Sequence, residues 1–400
     1  MRIVADFHIH SPYARAVSKE MTLENLDSWA RIKGIDILGT GDFTHPQWIK
    51  EIKSKLEQAE PGLYKLKKVN TPTRFCLTSE ISSIYSKGGK GRRIHSLVFF
   101  PSIESVEKFN AIVGARANLK ADGRPIVGIG AKELLKIALD VNKDAFFVPA
   151  HVWTPWFSVF GSKSGFDSME ECFDEYAKHI FAVETGLSSD PLMNWRWSHL
   201  DKYALLSNSD SHSLRRIGRE ANIFNTRLSY FDIINAIKSK DPKRFLSTIE
   251  FYPEEGMYHY DGHRACKVKL HPAETKKIGN RCPACGRPMT IGVMNRVGEL
   301  ADRPEGFKPK NAIPYKNMVP LDEIIAEAFG VKSALNKRVQ EMHKKMIAEL
   351  GSELSILFDR SKSDLASFHP DIKEGIIRVR EGKLFIDPGY DGEYGKVKIF

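Results

Sequence analysis

Seven short runs of apolar and β-branched residues recur through the first 215 positions of the chain, and most carry a histidine or a carboxylate at one end. Near-continuous hydrophobicity is typical of strands that are buried on both faces, as in a parallel sheet. Helical patterns lie between several runs, at 23–34 after Thr22 and at 131–143. Strands that alternate with helices in this way indicate an α/β fold, either a (β/α) barrel or a doubly wound sheet. The runs are residues 3–10, 36–43, 75–85, 95–100, 145–152, 180–185 and 203–210.

Polar side chains at the ends of these runs favour the barrel. In a barrel, the loops that follow the strands converge on one pocket, whereas an open sheet would spread the same residues along an edge. We therefore predict that side chains from distant segments meet at one barrel mouth. The residues at or just past the C-terminal ends of the runs are His8, His10, Asp42, Glu80, His151, Glu184, Asp210 and His212.

The spacing of the histidines predicts a metal site. His8 and His10 lie two residues apart, as do Asp210 and His212, so each pair projects from one face of a strand. A single buried histidine is commonly a neutral ring bonded to a backbone carbonyl, but six of the thirteen histidines fall in this group. The predicted ligands are His8, His10, Asp42, His45, Glu80, His95, His151, Asp210 and His212, with Glu184 as a ligand or as support for one.

Imidazole and carboxylate ligands together suit zinc, manganese or iron, and this number of ligands exceeds what one ion uses. We expect two or three zinc ions in the barrel, with manganese or magnesium as alternatives in function, and Glu80 and Asp210 as bridges. Such ions activate a bound water for hydrolysis, so no serine or cysteine nucleophile is required. His10, Glu80 and Asp210 are the predicted catalytic residues. Cys76 and Cys172 lie in strand and helix contexts and are predicted packing residues.

The other three cysteines predict a separate zinc site. Cys266 and the CPAC knuckle, which contains Cys282 and Cys285, supply three thiolates. His263 would complete a tetrahedral Cys3His site, and His271 is the alternative fourth ligand. A redox-active CxxC pair is a different interpretation, but no thioredoxin-like βαβ pattern surrounds the knuckle. We predict one structural zinc ion in this module.

The charge of the chain points to an anionic partner. The net charge is +10, and residues 261–320 account for +7 of it, with twelve Lys/Arg against five Asp/Glu. An ordinary solvated surface is the alternative interpretation of this segment. A basic zinc module suits an enzyme that grips a long polyanion, because each phosphate contact adds affinity through counterion release. Lys267 and Lys269 are the predicted DNA contacts in the module.

The pattern of apolar residues changes along the chain and predicts three domains. These are a metallohydrolase barrel at 1–250, a zinc-binding module at 251–300 and a mainly helical C-terminal domain at 301–400. The tail, residues 374–400, alternates and contains glycine-rich turns, which predicts a β-hairpin. The N-terminus lacks a signal-peptide pattern, and no apolar run is long enough for a membrane span. We expect a cytoplasmic protein that acts as a monomer.

The motifs at the strand ends resemble those of the PHP (polymerase and histidinol phosphatase) family, which implies a (β/α)7 barrel with a trinuclear metal site. The second motif, GTGDFTH, departs from the family pattern because Phe43 stands where the family has histidine, so Asp42 or His45 would substitute. Asp190 is a further candidate for a supporting role. The matching motifs are HIH at 8–10, Glu80 with His95, His151, and DSH at 210–212.

Three segments around the cysteines are similar to the endonuclease Q family of lesion-specific DNA endonucleases: YHYDGHRAC, CPACGRPMTIGV and NRVGELADRPEGF. The resemblance covers nearly the whole chain. It implies hydrolysis of the phosphodiester on the 5′ side of a deaminated base (uracil, hypoxanthine or xanthine) or an abasic site. It also implies contact with the sliding clamp, although no glutamine-initiated clamp motif is present.

A base that leaves the DNA stack needs an aromatic or apolar pocket. Trp153 and Trp156, in the loop after His151, are predicted to stack on such a base, with packing under the loop as the alternative. Arg215 and Arg216 are predicted to meet backbone phosphates. Two other functions stay open: a PHP-type phosphatase of small phosphate monoesters, and a non-catalytic DNA-binding module with a vestigial barrel.

Overall fold

The computed structural model describes all 400 residues, Met1 to Phe400, as a mixed α/β fold. Each of the seven apolar runs contains a strand, so these predictions are confirmed. The strands are Arg2–Asp6 (β1), Ile37–Gly39 (β2), Leu56–Glu60 (β3), Leu63–Leu66 (β4), Arg74–Lys87 (β5), Lys90–Phe100 (β6), Ile126–Val127 (β7), Phe146–Pro149 (β8), Ala182–Glu184 (β9), Ala204–Leu206 (β10), Ala221–Asn225 (β11), Phe245–Glu250 (β12), Asp261–His263 (β13), Val268–Leu270 (β14), Tyr315–Asn317 (β15), Phe385–Asp387 (β16) and Lys396–Lys398 (β17).

Thirteen α-helices surround these strands. The helices are Leu23–Lys33 (α1), Pro46–Lys55 (α2), Ile103–Gly114 (α3), Ala131–Val141 (α4), Met169–Phe173 (α5), Pro191–Asn194 (α6), Tyr230–Ser239 (α7), Pro272–Lys277 (α8), Val293–Leu300 (α9), Leu321–Ala328 (α10), Lys337–Leu350 (α11), Glu353–Phe358 (α12) and Pro370–Glu381 (α13). The prediction for α1 is confirmed at both ends, because Thr22 accepts from the amide of Asn25 and Gly34 ends the helix in the left-handed region. No helix combines the length and the hydropathy needed to cross a bilayer.

The main sheet has eleven strands and mixed directions. Its path runs β15-β12-β11-β1-β2-β5-β4-β3, with β6 and β7 paired to β5 and β8 paired to β6. Strands β1, β2 and β5 are parallel, but β1–β11, β5–β6 and β6–β8 are antiparallel. Strands β9 and β10 form a separate parallel pair. Only some neighbouring strands are therefore parallel, and the prediction of a parallel sheet is confirmed only in part.

The longest antiparallel pair explains this difference. Strands β5 and β6 pair over eleven residues from Leu77↔Phe100 to Lys87↔Lys90, and only Gly88 and Gly89 connect them. Both glycines have positive φ, at 62° and 71°, as a tight hairpin turn requires. Two strands that are joined by only two glycines have no room for a crossover helix between them, so they fold back on each other.

The prediction for the tail is wrong in its first part. Residues 374–381 belong to helix α13, which begins with Pro370 at its first position and ends at Gly382 with φ of 65°. Ile372, Ile376 and Val379 recur at helical spacing and are buried. The later residues do form a hairpin, because β16 and β17 pair antiparallel from Phe385 to Lys398.

The C-terminal helices share one continuous apolar core with the sheet. Ile324, Ile356 and Ile376 belong to the same cluster of buried side chains as Leu38 and Phe75. Buried charges reinforce this contact. Lys33 of α1 donates to Glu353 at 2.8 Å, and His343 of α11 lies 3.1 Å from the same carboxylate oxygen. The second oxygen of Glu353 accepts from the Leu321 amide.

The Glu353→Gln variant tests this buried contact. Burial opposes ionisation of Glu353, but Lys33 and His343 outweigh it and lower the pKa of the carboxyl to about 2. Removing its charge leaves Lys33 buried and uncompensated, so the free energy of unfolding should fall by about 3 kcal/mol in urea titrations at pH 7.

The pH dependence of stability provides the control. A carboxyl with a lowered folded pKa stabilises the protein fully above its ordinary pKa, and this stabilisation disappears as the pH falls towards 2. Glu353→Gln should lack that contribution. The matched variant Glu349→Gln, which removes an exposed partner of Lys345, should be as stable as the wild type. Equal free energies of unfolding for the wild type and both variants would show that the buried contact between Glu353 and Lys33 does not stabilise the fold.

Candidate metal centre and adjoining cavity

Short segments after the strands carry the predicted ligands inward. His8 and His10 follow β1, and the intervening Ile9 forms a bridge with Ser211 that holds the Asp210 segment alongside. Three site residues have backbone conformations that side chains other than glycine rarely adopt. The φ values are 47° for Asp42, 30° for His151 and 46° for Asp210. Such strain is common where a side chain must be aimed at a functional site.

Four side chains form the first ligand group: His8, His10, Glu80 and Asp210. Their ligand atoms all lie within 4.8 Å of one another. His10 Nε2 is 3.1 Å from Asp210 Oδ1 and 3.3 Å from Glu80 Oε2. His8 Nε2 is 3.5 Å from the same oxygen of Glu80 and, although buried, has no hydrogen-bond partner. Buried nitrogen and oxygen atoms that converge in this way can hold a cation.

A second group consists of Glu80, His95 and His151. Glu80 Oε1 lies 2.6 Å from His95 Nδ1 and 3.0 Å from His151 Nε2. Because its other oxygen faces His8 and His10, Glu80 contributes to both groups. A carboxylate in this position can bridge two ions.

Asp42 and Glu184 support the ligands from behind. Asp42 Oδ1 lies 2.9 Å from His10 Nδ1, and its other oxygen accepts from the amide and hydroxyl of Ser11. Glu184 lies 3.0 Å from His8 Nδ1 and accepts from the His151 amide at 2.9 Å. Each carboxylate therefore fixes the orientation of an imidazole while leaving the opposite ring nitrogen free for a metal.

The electrostatics of the cluster favour a cation. Burial opposes protonation of His8, but Glu184, Glu80 and Asp210 outweigh it and raise the pKa of the imidazole well above its ordinary value. The same balance holds for His10, whose pKa is raised by Asp42 and Asp210. A metal ion supplies the positive charge that these carboxylates would otherwise obtain from protonated histidines.

The predicted ligands His45 and His212 lie outside both groups, as do Phe43 and Asp190. His45 caps helix α2, accepts from the amide of Gln47 at 3.3 Å and stacks on Tyr13, so the structure does not bring it to the cluster. Phe43 is fully buried and packs against other aromatic rings. His212 Nδ1 bonds to the Asp210 carbonyl at 2.8 Å, with its ring beside His10. Asp190 caps helix α6.

Sequence reasoning missed one arginine at the cluster. Arg124 Nη1 lies 3.2 Å from Glu80 Oε2, and the side chain of Arg124 is 29% exposed, so part of it also faces solvent. Gly123, which precedes Arg124, packs closely against Asp42, since a Cβ at this position would lie 2.5 Å from Asp42 Oδ2. The polar loop around Arg124 has no motif or periodicity, and only the folded chain reveals its position.

The cysteine module brings together the expected side chains. His263, Cys266, Cys282 and Cys285 have ligand atoms within 4.8 Å of one another, and His263 Nδ1 is 3.5 Å from Cys285 Sγ. His271 instead caps helix α8. A set of three thiols and one imidazole can bind a metal tetrahedrally.

An open cavity of about 930 Å³ adjoins the metal cluster. Phe157 lines the cavity, and its ring lies 4.8 Å from that of His95. Further aromatic walls come from Trp156 and Tyr258, which contact each other edge to face. The cavity is also lined by Arg93, Arg216 and Arg219.

The predicted DNA contacts differ in exposure. Trp156 is 39% exposed, but Trp153 is fully buried, donates to Asn194 at 2.8 Å and packs in the core. Trp153 therefore cannot stack on a base, because the loop folds over it. Arg215 pairs with Asp322, and Arg216 pairs with Glu323.

In the cysteine module, the ammonium group of Lys269 bonds to Asp387. Lys267 has a left-handed backbone conformation with φ of 54° and an exposed side chain.

Comparisons with known proteins cover the whole chain. A family described as the MJ0043 C-terminal domain matches residues 320–383. The chain is 31% identical to the uncharacterized protein YqxK of Bacillus subtilis (strain 168), over 99% of both chains. It is also similar to the crystal structure of the lesion-specific endonuclease PfuEndoQ from Pyrococcus furiosus. The TM-score is 0.88 and the identity 32%, and the match covers 100% of this chain and 95% of the other.

A further similar structure is endonuclease Q in complex with a 27-mer duplex that has an abasic lesion at the active site. Its TM-score is 0.87 and its identity 32%, with 100% of this chain and 97% of the other covered. The fold, which matches these structures over its full length, and the two buried ligand groups are those of an endonuclease with candidate metal sites. More specifically, the chain belongs to the endonuclease Q family.

Metal analysis of Glu80→Gln tests the geometry of the cluster. Because Glu80 faces both ligand groups, its loss should reduce the metal that these groups bind more than the loss of any single histidine. His151→Ala should affect only the second group, and His45→Ala should leave the metal content unchanged. Inductively coupled plasma mass spectrometry of the purified proteins measures these contents. A larger loss in His45→Ala than in Glu80→Gln would refute the assignment.

Proposed function

We propose that this chain is a DNA repair endonuclease that hydrolyses the phosphodiester on the 5′ side of a deaminated base or an abasic site. The observation that carries this proposal is the full-length similarity, at 32% identity, to an endonuclease Q bound to a duplex with an abasic lesion at its active site. The cavity beside His95 supports it, since a lesion nucleotide that leaves the stack needs an aromatic-lined space next to the reacting phosphate.

Two or three divalent ions complete the proposed site. We propose zinc, with manganese or magnesium as alternatives in function. The unpartnered His8 Nε2 and the two-sided placement of Glu80 fit such ions. When bound, the ions lower the pKa of water and neutralise charge on the phosphoryl oxygens. His8, His10, Glu80 and Asp210 would hold one ion, and Glu80, His95 and His151 would hold another.

The protein's own side chains orient these ligands and the substrate. Asp42 and Glu184 fix the rings of His10 and His8. Arg124 reaches the cluster from a partly exposed position, so it can donate to a nonbridging oxygen of the scissile phosphate. Trp156 offers an exposed ring to a flipped nucleotide.

We propose a structural zinc ion for the Cys3His module. Three thiols and one imidazole are the donors that closed zinc sites use. Burial opposes ionisation of Cys282, but the amides of Ala284 and Cys285 outweigh it and lower the pKa of this thiol to about 7. Exposed lysines around the module, including Lys267, would contact the DNA backbone.

We also propose that the sheet around β1, β2, β5, β6 and β8 closes through β9 and β10 as a PHP-type (β/α)7 barrel. Backbone hydrogen bonds from Val152 to Glu184 and from Thr185 to Leu206 link these segments. The proposed divisions are a barrel at 1–250, the zinc module at 251–300 and a C-terminal domain at 301–400. The family match to residues 320–383 falls within the third division and supports it.

Cleavage of lesion-containing oligonucleotides tests the function, and Asp210→Asn tests the role of the metal cluster. The wild type should cut duplexes with deoxyuridine, deoxyinosine or an abasic site and leave p-nitrophenyl phosphate largely intact. Asp210→Asn should reduce cleavage by more than about 100-fold, because it alters a direct metal ligand. Its affinity for lesion DNA in a gel-shift assay should be retained.

The Cys282→Ser variant separates the two metal sites. It should lose the module's ion and weaken folding or DNA binding, whereas Asp210→Asn should spare both. Equal loss of binding and cleavage in the two variants would show that the division of labour is wrong. A wild type that prefers p-nitrophenyl phosphate would reverse the proposal in favour of a phosphatase.

Arg124→Gln gives a second test of the proposed chemistry. Losing one charge-assisted donor to the phosphate in the transition state should lower kcat by about 100-fold, with little change in DNA affinity. Arg124→Lys keeps the positive charge but loses the planar guanidinium, so its kcat should lie between those of the wild type and Arg124→Gln. Wild-type kcat in Arg124→Gln would exclude this residue from the reaction.

A further inference from the structure

The loop after β8, residues 152–166, links the metal cluster to the zinc module. We call it the aromatic loop. One end contacts the second ligand group. The amide of His95 donates to the Phe157 carbonyl at 3.0 Å, and Thr154 Oγ1 lies 3.2 Å from His151 Nδ1. Two of the three ligands in that group therefore depend on where this loop lies.

The other end of the aromatic loop is held by one side chain of helix α9. Arg296 Nε donates to the Phe160 carbonyl at 3.0 Å, and Nη2 donates to the Phe166 carbonyl at 3.1 Å and to Asp167. The side chain of Arg296 is only 12% exposed. A hydrophobic residue in place of Arg296 would leave both carbonyl oxygens without a donor. The contact therefore requires a side chain with several N–H groups.

Helix α9 is in turn held by strand β13, which carries one of the candidate zinc ligands of the cysteine module. Asp261 is fully buried; one of its oxygens accepts from the Gly292 amide at 2.7 Å and the other from Asn295 Nδ2 at 2.6 Å. Asp261 and the zinc-ligand candidate His263 lie two residues apart on the same short strand, β13. Gly262 between them exchanges two backbone hydrogen bonds with Thr290. The position of the module thereby fixes the start of α9.

We propose that Asp261 and Arg296 form a relay through which the Cys3His module positions the aromatic loop over the second metal-ligand group. Arg296 is a positioning residue in this relay, because it touches the loop backbone and none of the ligands. Within the proposed function, the relay sets both the cavity wall at Trp156 and Phe157 and the ring placement of His95 and His151. Loss of the module's metal should loosen this loop at a distance.

The test compares Arg296→Lys and Arg296→Met with the same changes at Arg303, in the full-length protein. Arg303 belongs to the same sequence segment but contacts Asp201 and the Trp195 carbonyl rather than the aromatic loop. Lys163, which is exposed within the loop, provides a trypsin site. Cleavage after Lys163, followed by mass spectrometry, should accelerate about tenfold in Arg296→Met and less in Arg296→Lys. The Arg303 variants should match the wild type.

Two further readouts separate positioning from a general loss of structure. The metal content of the barrel should fall in Arg296→Met, while the ion of the module is retained. On lesion DNA, kcat should fall with little change in KM, and Arg296→Lys should restore part of it. Asp261→Asn, which keeps one acceptor oxygen, should shift the same readouts in the same direction. It also serves as the test should Arg296→Met fail to fold.

The relay is wrong if cleavage at Lys163 and barrel metal content in the Arg296 and Asp261 variants equal those of the Arg303 variants. The proteolysis and metal measurements need no DNA. If the wild type fails to cut lesion DNA, the proposed function fails, while these two measurements still decide the relay.

Discussion

The arrangement of the site depends on the electrostatic balance around Glu80. This buried carboxylate faces two imidazoles with each oxygen, and its neighbours Asp210, Asp42 and Glu184 add further negative charge in the same small volume. Burial raises the cost of every unpaired charge, so positive charge must balance these carboxylates, either on protonated imidazoles or, as we propose, on metal ions. The strained backbones of Asp42, His151 and Asp210 and the close packing at Gly123 serve to aim side chains at this point.

The rest of the chain keeps that geometry rigid. The C-terminal helices share the apolar core of the sheet, and the buried carboxylate of Glu353 joins them to helix α1. Some cations of the basic segment at 261–320 also form ion pairs with carboxylates of the same chain. These pairs are Lys269 with Asp387, Arg296 with Asp167, and Arg303 with Asp201. The positive charge of this segment therefore serves both architecture and the proposed contacts with an anionic partner.

Local patterns were sufficient for much of the fold and for most of the side chains that converge in the two candidate ligand groups. Alternation in the apolar run at 3–10 predicted that His8 and His10 share one face, and the caps of α1 were evident from Thr22 and Gly34. The β5–β6 hairpin and helix α13 were misjudged, although Gly88–Gly89 and the spacing of Ile372 and Ile376 carried the signals. These errors came from weighting apolar content above turn chemistry and helical periodicity.

Other features depend on three-dimensional packing that no local pattern encodes. Arg124 and Arg296 contact residues that are distant in sequence, and in the sequence alone both resemble ordinary surface arginines. His45 and Trp153 have the expected residue types, but the chain directs one ring to a helix cap and the other into the core.

Anomalous diffraction from crystals of metal-loaded protein tests the central claim most directly. The account predicts separate peaks on the two sides of Glu80, each about 2.0–2.2 Å from one of its oxygens and from histidine nitrogens of the corresponding group. Peaks confined to the cysteine module, with none beside Glu80 at saturating metal, would contradict it.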